Sequence, residues 1–93
     1  MSFATSSSKQ RQIARSVKDI GFALRQARRQ RGMTQMQLAN ACGVGQDTVS
    51  RIERGESEPK LDTIFELLAA LDLEFVVQER SKSDPADWDE IFS

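Results

Sequence analysis

Apolar positions recur at helical spacing in four stretches of this chain and at alternating spacing in a fifth. Val17, Ile20, Leu24 and Ala27 fall three or four residues apart, so residues 16–31 read as an amphipathic helix that Gly32 stops. Leu38, Ala39 and Cys42 form the stripe of a shorter helix opened by Thr34. Gln37, three residues after Thr34, completes a capping-box signature, and Gly43 supplies the positive φ that ends such a helix. A third helix runs from about Gln46 to Arg54, with Val49 and Ile52 turned inward and Gly55 as its stop. The polar stretch Glu56 to Lys60, with Pro59 near its end, reads as a loop. A fourth helix follows from about Leu61 to Leu71, its core side made by Leu61, Ile64, Phe65, Leu68 and Leu71. From Leu73 to Arg80 the pattern changes. Phe75 and Val77 fall on one face and Glu74, Val76 and Gln78 on the other, as in a β-strand.

The second and third helices carry the chemistry. About three residues separate them, which makes a helix-turn-helix corner rather than an antiparallel hairpin. At ~100° per residue, Asp47, Ser50, Arg51 and Arg54 point away from Val49 and Ile52, with Gln46 beside them at the helix start. This polar face suits the major groove of DNA, where glutamine pairs with adenine, arginine with guanine, and aspartate accepts from the cytosine amino group. Gln46, Asp47, Ser50 and Arg51 are the expected base readers. The competing reading is a polar face that meets only water.

Residues 17–73 resemble the Xre-type (lambda-repressor-like) helix-turn-helix family. The resemblance rests on Thr34-Gln35, Leu38-Ala39, Gly43-Val44, Ile52-Glu53 and Gly55, followed by Pro59, Leu61 and Thr63. The extension ALDLEFVVQER after the fourth helix is similar to that of the HipB-like antitoxins, whose monomers pair through such a strand. The resemblance implies an all-α domain of about four to five helices plus one C-terminal β-strand pairing across a homodimer. It implies a phosphate-binding and buttressing role for Gln35; Thr34, Thr48 and Lys60 are further expected phosphate contacts. Arg28 and Glu53 match a family pair in which an arginine of the first helix meets a glutamate at the end of the recognition helix, a structural role. A HipA-type serine/threonine kinase toxin, and repression of the operon shared with it, are the partner and activity so implied.

A lone strand beside four helices leaves its backbone groups without partners. Pairing Phe75, Val76 and Val77 with the same strand of a second copy resolves this. A twofold dimer would then set two recognition helices ~34 Å apart, as reading a palindromic operator in double-stranded DNA requires.

Charge sharpens this picture. The net charge of −1 conceals a basic front and an acidic back. Residues 1–60 carry eleven Lys/Arg against five Asp/Glu, and residues 61–93 carry two against nine. On the open face of the first helix lie Lys18, Arg25 and Arg29, and the aromatic Phe22 falls there too. Residues 1–15 read as a flexible N-terminal segment, with Lys9, Arg11 and Arg15 as a basic arm or an unstructured leader. Residues 16–72 form the DNA-binding domain, 73–80 the dimerisation strand and 81–93 an acidic tail. In that tail Trp88, Ile91 and Phe92 share one face of a short helix, suited to docking on a partner protein or to folding back on the domain itself.

Other chemistries lack their residues. With no histidine, Ser-His and Cys-His nucleophiles are excluded and a metal site would need carboxylates alone. No cofactor, metal or enzymatic activity is expected. Cys42, the single cysteine, rules out an intrachain disulfide and reads as a packing residue. No apolar run approaches the ~20 residues of a membrane span, and the single cysteine suits a reducing cytosol; the resemblance implies a bacterial cytoplasmic, nucleoid-associated protein. Three functions compete: an antitoxin that represses its own operon, a stand-alone repressor, and a helix-turn-helix module that binds only protein.

Overall fold

The computed structural model describes residues 12–80. Four helices follow one another: α1 Val17–Gln30, α2 Gln35–Cys42, α3 Gln46–Glu53 and α4 Leu61–Ala70. Ser16 caps α1 by accepting from the Asp19 amide, and Asp19 in return accepts from the backbone N–H of Arg15 at 2.9 Å. At α2 the expected capping box is present. The Gln37 amide donates to Thr34 Oγ1 at 3.0 Å, and the Thr34 amide donates to Gln37 Oε1 at 2.8 Å. Thus Thr34 and Gln37 satisfy amides that would otherwise be orphaned at the helix start.

All four helices stop at a residue of positive φ, and three of the stops are the expected glycines. At Gly43 the chain turns with φ 72°, which allows the Val44 amide to reach back to the Ala39 carbonyl at 3.0 Å. The fourth stop is Asp72, with φ 59°. The Leu73 amide bonds the Leu68 carbonyl at 2.8 Å and the Asp72 amide bonds that of Ala69, the Schellman arrangement. Aspartate tolerates the left-handed region better than most residues, so it ends this helix where a glycine was not available to announce it.

The core is one cluster drawn from every helix: Leu24 and Ala27, Leu38 and Ala39, Val49 and Ile52, then Ile64, Leu67, Leu68 and Leu71. Three expected core positions lie elsewhere. Val17 is exposed at the first turn of α1, and Leu61 and Phe65 are exposed on α4. The inward stripe of α4 is 64–67–68–71, so Leu67 takes the place expected of Phe65. Leu61 continues that line at the helix start but remains uncovered, while Phe65 sits on the flank.

Residues 73–80 form no strand within the chain. A strand is defined by its partner, and a single copy offers none among the described residues. Phe75 leans edge-on against Phe65, ring centroids 5.2 Å apart, whereas Val76 and Val77 are exposed, Val77 almost completely at 98%. The expected alternation of inward and outward faces is therefore absent in the single copy. The basic arm (Lys9, Arg11) and the aromatic tail (Trp88, Ile91, Phe92) lie outside the described residues.

Gly21, buried in α1, sets the distance between α1 and α3. A Cβ at this position would stand 2.1 Å from the Ile52 carbonyl oxygen and 3.0 Å from that of Glu53. Both obstacles are backbone, so only separation of the helices relieves them. Alanine normally improves a helix interior by ~1 kcal/mol over glycine. Here the sign reverses: Gly21→Ala is expected to destabilise by at least the ~1–3 kcal/mol typical of overpacking. At about 4–8 °C per kcal/mol for a domain of this size, thermal unfolding will report it. An unchanged or raised melting temperature would show that α1 and α3 do not approach this closely.

Candidate nucleic-acid interface

The outward face of α3 is built from its sequence in a simple way. Val49 and Ile52 are each about 1% exposed, which fixes the rotation of the helix about its axis. Gln46, Asp47, Thr48, Arg51 and Arg54 are consequently left at the surface, with Ser50 half-buried at its margin. The four expected base readers, Gln46, Asp47, Ser50 and Arg51, all lie on this one short helix. Among the expected phosphate contacts, Thr34, Thr48 and Lys60 are exposed and Gln35 is half-buried. Thr34 spends its oxygen on the α2 cap but keeps a hydroxyl proton to donate.

Beneath this surface lies a buried polar network. Arg28 Nε donates to Glu53 Oε2 at 2.7 Å and Nη2 to Oε1 at 3.1 Å, a two-bond fork with both residues buried. Arg28 Nη1 donates to the Met33 carbonyl at 2.7 Å. Gln35 Nε2 adds a further bond to Glu53 Oε1 at 3.1 Å. The network ties the end of α1, the α1–α2 turn, the start of α2 and the end of α3 together. Among the described residues, no buried side-chain nitrogen or oxygen lacks a partner. Gln35 thus buttresses the end of α3, which leaves it one amide hydrogen for other work.

Two surface ion pairs escaped the reading of the sequence. Arg51 Nη2 lies 3.1 Å from Asp47 Oδ2, one helical turn away on α3, and Arg54 Nη2 lies 3.1 Å from Glu56 Oε1. The first of these was legible as an i,i+4 pair of opposite charges.

Cys42 is half-buried and donates weakly from Sγ to the Glu66 carbonyl at 3.5 Å. Burial, and secondarily the Glu66 carboxylate, push its thiol above the ordinary cysteine range. A thiol held neutral in this way is a poor nucleophile, consistent with packing. Among the described residues no group of three or more acidic or cysteine side chains is placed to hold a metal. None of the helices there is long and apolar enough to cross a membrane.

The helix pair, its turn and its buried buttress define a helix-turn-helix protein. The chain belongs to the Xre-type helix-turn-helix family of transcriptional regulators, the HTH_3 helix-turn-helix model matching residues 24–77. It is 32% identical over 66 residues to Antitoxin HipB of Escherichia coli O6:H1, covering 71% of this chain and 70% of that one. An uncharacterised HTH-type transcriptional regulator of Haemophilus influenzae is 44% identical over 45 residues; the match spans 48% of this chain but only 46% of the regulator. Among solved structures, a HipB-O4 20mer complex superposes with a TM-score of 0.70 at 30% identity, over 76% of this chain and all of that one. A HipA-HipB-O2-O3 complex matches over the same share of each chain, with a TM-score of 0.69 at 30% identity.

The buried network makes a sharp prediction. Glu53→Ala leaves Arg28 buried and unpaired, at an expected cost of about 3–5 kcal/mol. For a domain this small that is comparable to its whole stability, and cooperative unfolding should be lost or shifted far down. Arg28→Met combined with Glu53→Leu removes both charges together and should cost less than either single truncation. Equal or additive losses in urea unfolding would show that the two side chains do not act as a unit.

Proposed function

We propose that this protein binds operator DNA as a twofold dimer and represses transcription, acting as antitoxin to a HipA-type kinase encoded beside it. The observation that carries the DNA reading is the α3 face. Its polar side chains stand clear of the domain while the Arg28–Gln35–Glu53 network holds the helix from behind. Gln46, Asp47, Ser50 and Arg51 would face the bases, and Thr34, Gln35, Thr48 and Lys60 the phosphates. The similarity to a chain in a HipB-O4 20mer complex supports the same reading.

Dimer formation is supported by apolar surface that one copy leaves open. Phe65, Phe75, Val76 and Val77 are all exposed, and Phe65 packs on Phe75. Pairing residues 73–80 with their counterpart would satisfy their backbone groups and bring their exposed apolar side chains against a second copy. The kinase partner rests on the likeness to Antitoxin HipB and to the chain of a HipA-HipB-O2-O3 complex. Trp88, Ile91 and Phe92 would be the anchors offered to it. Likeness to an HTH-type transcriptional regulator of Haemophilus influenzae favours a second reading, a stand-alone repressor of the same fold.

Purified protein should retard a duplex from its own upstream region, and the product of a neighbouring kinase-like gene should bind the protein and alter that complex. Absence of binding by any such product, with operator binding intact, would select the stand-alone repressor. Val77→Pro, which removes an N–H from the paired strand, should convert the dimer to monomer in sedimentation and weaken operator binding at least tenfold. A wild-type protein that is monomeric at micromolar concentration would overturn the dimer.

A further inference from the structure

Asp47 is an unusual residue for a surface that meets phosphates, because an unpaired carboxylate there repels the duplex. The structure gives it an occupation. Its Oδ2 is taken by Arg51 Nη2 at 3.1 Å, across one turn of α3. Both side chains are largely exposed, 72% for Asp47 and 59% for Arg51, and neither is needed by the core. An exposed pair of this kind contributes little to folding, at most ~1 kcal/mol. Its consequence must be sought in where it puts the arginine.

We infer that Asp47 is a positioning residue that holds the Arg51 guanidinium for one guanine, rather than an independent reader of cytosine. This rests on the DNA-binding reading above. The guanidinium is a planar fork of five N–H donors, and one bond to Asp47 leaves enough of them free for the two acceptors, O6 and N7, that guanine shows in the major groove. A free arginine of this length carries ~2 kcal/mol of rotamer entropy, part of which is lost on docking. Holding the fork beforehand reduces that loss. It also changes what the arginine prefers. Paired with Asp47, the unit has no net charge, so a phosphate attracts it less than it attracts a lone guanidinium, while guanine, which is neutral, retains its two hydrogen bonds. Asp47 therefore trades general affinity for discrimination.

The two roles open to Asp47 give different base profiles. The test is to measure binding of wild type, Asp47→Ala, Arg51→Ala and the double variant to an operator, to every single-base-pair change in it, and to a random duplex. Circular dichroism melts accompany each variant. Removal of Asp47 should leave the melt nearly unchanged and strengthen binding to random duplex. At the one position that Arg51→Ala relaxes, it should lower the guanine preference, by up to the roughly 5- to 150-fold that one bidentate base contact confers. In the Arg51→Ala background it should change that position no further. Two results overturn the inference alone: an unaltered guanine preference in Asp47→Ala, or a preference lost at a different base pair whether or not Arg51 is present. If wild type binds operator and random duplex equally, the DNA-reading function itself fails, and the inference with it.

Discussion

The structure depends on one buried carboxylate. Glu53 ends the reading helix, and its two oxygens receive three hydrogen bonds, two from Arg28 on α1 and one from Gln35 on α2. A charge out of water is tolerated only when fully partnered, so α1, α2 and α3 must be in place together for Glu53 to be held. The network is therefore a register device more than a source of stability. Hydrophobic burial supplies the cohesion, through a core shared by all four helices.

Gly21 completes the constraint from the other side. With no side chain there, α1 lies against the carbonyls of Ile52 and Glu53, the same residues that anchor α3 in the core and in the network. The end of α3 is thus held by close backbone packing, by Ile52 in the core and by the Arg28 fork. Its beginning starts from Gly45 with no side-chain cap and is anchored by Val49, which is buried in the core. Gln46 and Asp47 stand exposed at the opposite end of the helix from this anchor, where the proposed function needs them.

Much of this was legible in the residues. The capping box of Thr34 and Gln37, the glycine stops, and the inward pair Val49 and Ile52 follow from spacing alone, because each is a local requirement of a helix. The Arg28–Glu53 pair came from family resemblance, and the structure places it as expected. What sequence obscured was non-local or ambiguous. Helix α4 is apolar around more than half its circumference, so periodicity could not tell which flank, Phe65 or Leu67, faces inward. Gly21 looks like a gap in a stripe until the neighbouring backbone is known. Residues 73–80 alternate as a strand should, yet their ladder requires a second molecule and cannot appear in one. Asp47 and Arg51 both suit base edges singly, although their separation already allows them to meet.

The proposed function requires a locked frame that delivers the polar face of α3 into the major groove. Chemical protection of the protein–operator complex tests this most directly. Dimethyl sulfate methylates guanine N7 in the major groove and adenine N3 in the minor groove. Two patches of protected guanine N7 are expected about 34 Å apart on one face of the duplex, with adenine N3 within them still reactive. Protection confined to adenine N3, or a bound complex with guanine N7 fully reactive, would contradict it.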